Sequence, residues 1–111
     1  MILMRMRRNL KKEYALKHRI IGRDTEGGSV VSWGEPITIQ ATIWQASGRI
    51  QAEMYGERLA YMRNMEYEGT ETIHETDGIC VFVSADQKPD YQVVSVNADH
   101  KPVIYLLEAI Q

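Results

Sequence analysis

Ser47–Gly69, SGRIQAEMYGERLAYMRNMEYEG, carries the choice between two architectures. Read as one long helix, it presents Tyr55, Leu59 and Met62 as an apolar stripe, and Gly56 costs only about 1 kcal/mol inside it. Read as helix then strand, Ile50 and Met54 lie four apart on a short helical face. Arg49 can then pair with Glu53, and Gly56 closes the helix in the left-handed conformation. Beyond Gly56, Leu59, Tyr61, Met65 and Tyr67 alternate with Ala60, Met62, Asn64 and Glu66, and Arg63 breaks the apolar side. Ser47 is a good N-cap candidate. Pattern alone weighs the two readings about equally.

The flanks are easier. Ile37–Trp44 (ITIQATIW) alternates Ile37, Ile39, Ala41 and Ile43 against Thr38, Gln40, Thr42 and Trp44, the pattern of a half-buried antiparallel strand. Upstream, LKKEYALKHRIIGR (10–23) fits a helical start followed by a strand, or a strand throughout. DTEGGS (24–29) is a turn, Val30–Trp33 a short returning strand, and Gly34-Glu35-Pro36 a break. Downstream, Ile73–Glu75 is a short strand or loop before an Asp77-Gly78 turn. Ile79–Ser84 reads as a buried strand and DQKPD (86–90) as a turn. Tyr91–Val96 alternates Tyr91, Val93 and Ser95 against Gln92, Val94 and Val96. NADHKP (97–102) is a hairpin loop and Val103–Ile110 the last strand. Short strands joined by Gly/Pro/Asp turns predict a mainly β fold: an antiparallel barrel or sandwich of about six strands, with one short helix at about 48–55.

At 111 residues the chain is expected to form one domain around a modest core. No apolar run approaches the ~20 residues that span a bilayer. Arg5, Arg7 and Arg8 interrupt any signal-peptide core in MILMRMRRNL, so a cytoplasmic protein is the expectation. Cys80 is the single cysteine, in the apolar setting GICVFV, and reads as a buried thiol rather than a nucleophile.

Charge is strongly divided. Residues 1–23 hold eight Lys/Arg and one Glu; the other 88 hold five Lys/Arg and fourteen Asp/Glu. Such a split suggests an arm for nucleic acid, or faces of opposite sign that meet in an oligomer. The basic contact arm (1–12) comprises Arg5, Arg7, Arg8, Lys11 and Lys12. As a helix it would gather Leu3, Met6 and Leu10 on one side. It has no interleaved aromatics and no reader motif, and the acidic remainder offers a complementary surface, so protein contact is favoured over DNA.

Catalytic signatures are missing: no GxGxxG, Walker, GxSxG or HExxH motif occurs. His18, His74 and His100 are dispersed. HETD (74–77) has metal-like composition without a trusted ligand spacing, and reads as a solvated loop. Glu66, Glu68, Glu71, Glu75 and Asp77 form an acidic run that reads as an exposed, solubilising ribbon. Trp33 and Trp44 read as core residues, since large aromatics are highly buried on average. No catalytic residue, cofactor site or metal site is assigned.

Between Tyr14 and Ile110 the order of parts resembles the head–tail joining (head-closure, connector) proteins of tailed bacteriophages. GEPITIQATIW followed by QASGRIQAEMYGERLAYM is similar to that family's strand, small-residue break and Ser-Gly-led helical excursion. DGICVFVSADQKPDYQVVSVNADHKPVIYLLEAI is similar to its C-terminal β-run. Similar proteins also occur in defective, PBSX-type prophage elements of Bacillus. One departure stands out: many relatives carry a basic segment before the DG-type turn, where this chain has the acidic EYEGTETIHET.

The resemblance implies helix then strand, and a structural role without enzymology. Under it, 13–111 forms a barrel from which the excursion at 47–56 projects. Ser47, Arg49, Ile50, Glu53, Met54 and Tyr55 become the candidate subunit interface. The implied partners are a portal protein and other connector or tail-completion proteins, with a homo-oligomeric ring forming on assembly and DNA passing nearby without sequence-specific binding. Assembly would occur in the bacterial cytoplasm, and the product would sit at the head–tail junction of a virion or phage-like particle, gating its DNA channel. The alternative is a small nucleic-acid-binding module using the basic arm.

Overall fold

A computed structural model of the chain describes residues 11–23 and 25–110. Arg5, Arg7 and Arg8, and with them the option of an N-terminal helical arm, lie outside the described residues. Lys12 is already the first residue of a strand.

Six strands close into an antiparallel barrel. They are β1 (Lys12–Lys17), β4 (Ile37–Gln45), β5 (Met62–Tyr67), β6 (Gly78–Cys80), β7 (Tyr91–Asn97) and β8 (Val103–Ala109), in the order β1-β4-β5-β8-β7-β6. The other two, β2 (Arg19–Arg23) and β3 (Ser29–Trp33), among the described residues pair only with each other, as a separate two-stranded ribbon. The described part of that stretch is thus β from Lys12 to Arg23, broken at His18.

The interior follows from alternation. Leu16, Ile39, Ala41, Met65, Tyr67, Ile79, Val93, Tyr105 and Leu107 fill the barrel, helped by Ile73 from the loop before β6. On β7 the expected alternation fails. A bulge between Val93 and Ser95 shifts the register against β8, so that Val93 and Val96 both face the core while Val94 turns outward. β6 is also shorter than the six-residue run that apolar character suggested. The Asp90 carboxylate accepts hydrogen bonds from Val81 N–H (2.7 Å) and Phe82 N–H (3.0 Å), which bends these residues off the ladder and leaves Phe82 exposed.

The deciding stretch resolves as helix, then a tighter turn, then strand. α1 (Arg49–Tyr55) ends at Gly56, whose φ of 57° suits a residue without Cβ, but the chain then makes a 3₁₀ segment over Gly56–Tyr61. The strand begins only at Met62. Met65 and Tyr67 then point inward as the alternation requires, whereas Leu59 and Tyr61 are not strand residues. At the other end of α1 the expected Ser47 cap is not made. Gly48, at φ 108°, occupies the N-cap position without a side-chain bond, and its carbonyl accepts the Ala52 N–H at 2.9 Å.

Candidate functional site

α1 and the 3₁₀ segment have two unlike sides. One is fastened to the barrel: Tyr55 and Leu59 pack on an outer cluster of Ala46, Met62 and Leu106. Gln51 Nε2 donates to Asn64 Oδ1 at 3.1 Å, and Arg58 forms a two-pronged bond to the Glu108 carboxylate at 2.6 and 2.9 Å. The Arg58 guanidinium also stacks 5.5 Å from the Tyr55 ring centre. The other side presents Ile50 and Met54, 73% and 66% exposed, with Arg49 and Glu53 also in solvent. Of the six candidate interface residues, Ser47, Arg49, Ile50, Glu53 and Met54 share this open side or its approach. Tyr55 is turned to the barrel instead. The expected Arg49–Glu53 ion pair is not among those formed by the described residues.

The β2–β3 ribbon is a second open surface, and its pattern gave no warning of it. Cross-strand partners share a face, so Ile21 and Val31 lie on one side with Arg19 and Trp33, and Ile20 and Val30 lie on the other. Ile20, Ile21, Val30 and Val31 are all exposed. A lone two-stranded hairpin is marginal in water, so its root must be held. Gly34 N–H donates to His18 O at 2.9 Å, and the Trp33 ring rests against Gly78 of the barrel. Trp33 is thus half-buried at the junction. Trp44 corrects the expectation of a core residue: it points outward from β4, 40% exposed, as the cross-strand partner of Asn64.

Asp77 anchors the junction electrostatically. It is 4% exposed, and its Oδ1 accepts Arg19 N–H (3.2 Å) while Oδ2 accepts His74 N–H (2.9 Å). His18 Nδ1 lies 2.9 Å from the same Oδ2, and His74 Nδ1 lies 3.7 Å from it. HETD is therefore not simply a solvated loop, because its aspartate is the buried hub joining ribbon to barrel. Sequence reading missed this because His18, the remote member, is 59 positions away from Asp77. The acidic run is likewise divided: Asp77 is buried, and Glu68 is bonded to Lys11 Nζ at 3.2 Å. Of the basic arm, Lys11 is thus engaged and Lys12 stands exposed at the start of β1.

Arg63, which breaks the apolar alternation, is placed at the barrel's end. Its guanidinium sits 4.9 Å over the Phe82 ring, and its Nε donates to the Tyr91 hydroxyl at 3.3 Å. Cys80 is buried as expected, and burial pushes its thiol above the ordinary value despite the nearby Lys17. The Lys17 ammonium is itself covered, donating to Gln87 O at 2.8 Å. No helix among the described residues is long and apolar enough to cross a membrane. Comparison of the chain with family models, curated proteins and solved structures finds no match.

Proposed function

We propose that the chain is a structural assembly subunit of the head–tail connector type, docking beneath a portal as a ring and linking capsid to tail. The observation that carries this reading is the pair of apolar projections on a closed barrel. Ile50 and Met54 on α1 are mostly exposed, and Ile20, Ile21, Val30 and Val31 on the ribbon are about half exposed. Exposed apolar clusters of this kind commonly mark protein–protein contacts. The long dimension of 59 Å, against 31 and 26 Å, agrees with elements reaching outward from a small body. Two different projections on one subunit suit head-to-tail contacts, which generate rings when the rotation closes. The role needs no catalytic residue and no cofactor.

The test is co-expression with the portal protein of the same genetic element, followed by size analysis of the product. Co-elution in a complex of defined mass supports the reading. Persistent absence of both self-association and portal binding would overturn it. The nucleic-acid alternative is separated by titrating duplex DNA at low salt, where a basic arm gives affinity that falls steeply as salt rises. The bond between Lys11 and Glu68 favours the assembly reading, because it already engages one of the arm's cations.

A further inference from the structure

We infer that His18, His74 and Asp77 form a binding site for a divalent transition cation of the zinc class, at the junction between ribbon and barrel. This inference is independent of the assembly role. One ligand atom from each residue can be chosen so that all three lie within 4.8 Å of one another. A tetrahedral zinc site, with metal–ligand bonds near 2.0–2.2 Å, sets its donors about 3.3–3.5 Å apart. The separations from Asp77 Oδ2, 2.9 Å to His18 Nδ1 and 3.7 Å to His74 Nδ1, bracket that spacing. Small rotations of two partly exposed imidazoles would suffice.

His74 is the informative member. Its Nδ1 faces the carboxylate oxygen from beyond hydrogen-bond reach, so it is near the Asp77 oxygen without being bonded to it. The two imidazole rings stand 6.3 Å apart at 53°, and the Nδ1 of each lies within 3.7 Å of the same carboxylate oxygen. The carboxylate is meanwhile held by backbone donors, Arg19 N–H and His74 N–H. Such outer contacts orient a ligand without occupying every lone pair. Two imidazoles and one carboxylate suit zinc, cobalt or nickel rather than calcium or magnesium, which favour all-oxygen sets.

Coordination through Nδ1 requires the neutral ring with its hydrogen on Nε2, so a bound cation would fix that tautomer of His18. Three protein donors leave a fourth position, filled by water on the side of the exposed His74. The ion would connect His18, between β1 and β2, to the loop before β6, and so fasten the ribbon to the barrel.

The experiment uses the full chain, stripped with chelator and titrated with zinc or cobalt alone. One equivalent should bind, raise the melting temperature, and give bound cobalt the visible absorption of a four-coordinate site. His74→Ala should weaken binding at least about tenfold while leaving the metal-free melting temperature unchanged, since the His74 side chain is mostly exposed. His100→Ala should bind like the parent. Failure of the parent chain to bind zinc at submillimolar concentration, or undiminished binding by His74→Ala, would overturn the inference. Neither result depends on whether the chain assembles with a portal.

Discussion

Trp33 lies so close over Gly78 that a Cβ on that glycine would stand 3.0 Å from the indole Cζ3, and 2.5 Å from Pro89 Cγ. The ribbon therefore rests on the barrel at a point where no side chain fits. Gly78→Ala should overpack the junction and cost about 1–3 kcal/mol. Urea denaturation would measure the loss. Combined with Trp33→Ala, the cost should fall only in part, because Pro89, whose Cγ and Cβ would stand 2.5 and 2.6 Å from the added methyl, remains the closer obstruction.

Replacing Ile50 and Met54 together with Asp alters a surface that touches little of its own chain. Folding stability should change by no more than about 0.5 kcal/mol for each site. Assembly with a portal partner should be lost, as read by co-purification and sedimentation. An unchanged complex would exclude this face as the interface, leaving the ribbon's Ile21 and Val31 as the next pair to alter.

Thr76 holds a positive φ of 76°, an uncommon conformation for a β-branched residue, directly before the buried Asp77. Its N–H donates to Val93 O at 2.8 Å, so the turn is tied to β7. Asn tolerates this region far better. Thr76→Asn should stabilise the chain by about 1 kcal/mol, the lower end of the usual cost of such strain, visible as a raised melting temperature.

Burial lifts the Cys80 thiol above its ordinary 9.0, and the Tyr14 and Tyr105 phenols above their ordinary 10.0. The unfolded chain gives up these protons first. Their contribution is intact below about pH 9 and is lost as pH rises through the raised folded values. Stability should therefore decline on the alkaline side. Thiol reagents should modify Cys80 at neutral pH much more slowly in the native chain than in urea.

On the acid side, the hydrogen bond from Arg58 holds the Glu108 carboxyl below its ordinary 4.5. The stability this lends is present above that value and disappears as pH falls through the depressed one. Glu108→Gln should flatten the acid limb of a stability–pH curve and loosen the 3₁₀ segment, measurable by faster amide exchange over Gly56–Tyr61.

Strands whose side chains alternate between core and water were legible in the sequence. β4 and β8 stand within a residue of their expected ends, and a mainly β barrel or sandwich followed from the number of strands and turns, the closed barrel being the one formed. What was hidden depends on remote groups. Asp90 draws the Val81 and Phe82 N–H groups off the ladder, so an apolar run stops being a strand after Cys80. The β7 bulge reverses the facing of Val96 through pairing with β8, which no local pattern encodes. Gly56 marked the end of α1, but six 3₁₀ residues intervened before β5 because Arg58 and Leu59 have partners on the barrel that a helical turn can reach. At the candidate site, the Ile50/Met54 face could be read from spacing. The ribbon's exposed valines and isoleucines could not, since apolar β-branched residues ordinarily signal interior strands.

Closure has a consequence for growth by strand addition. Each barrel strand has a neighbour on both sides, which satisfies much of the backbone that a foreign strand would otherwise recruit. The outer margins of β2 and β3 are different, because among the described residues each of these strands has a paired neighbour on one side alone. Extension of sheet from one molecule to another is therefore expected to begin on the ribbon, whose β2 strand starts at Arg19, directly after His18.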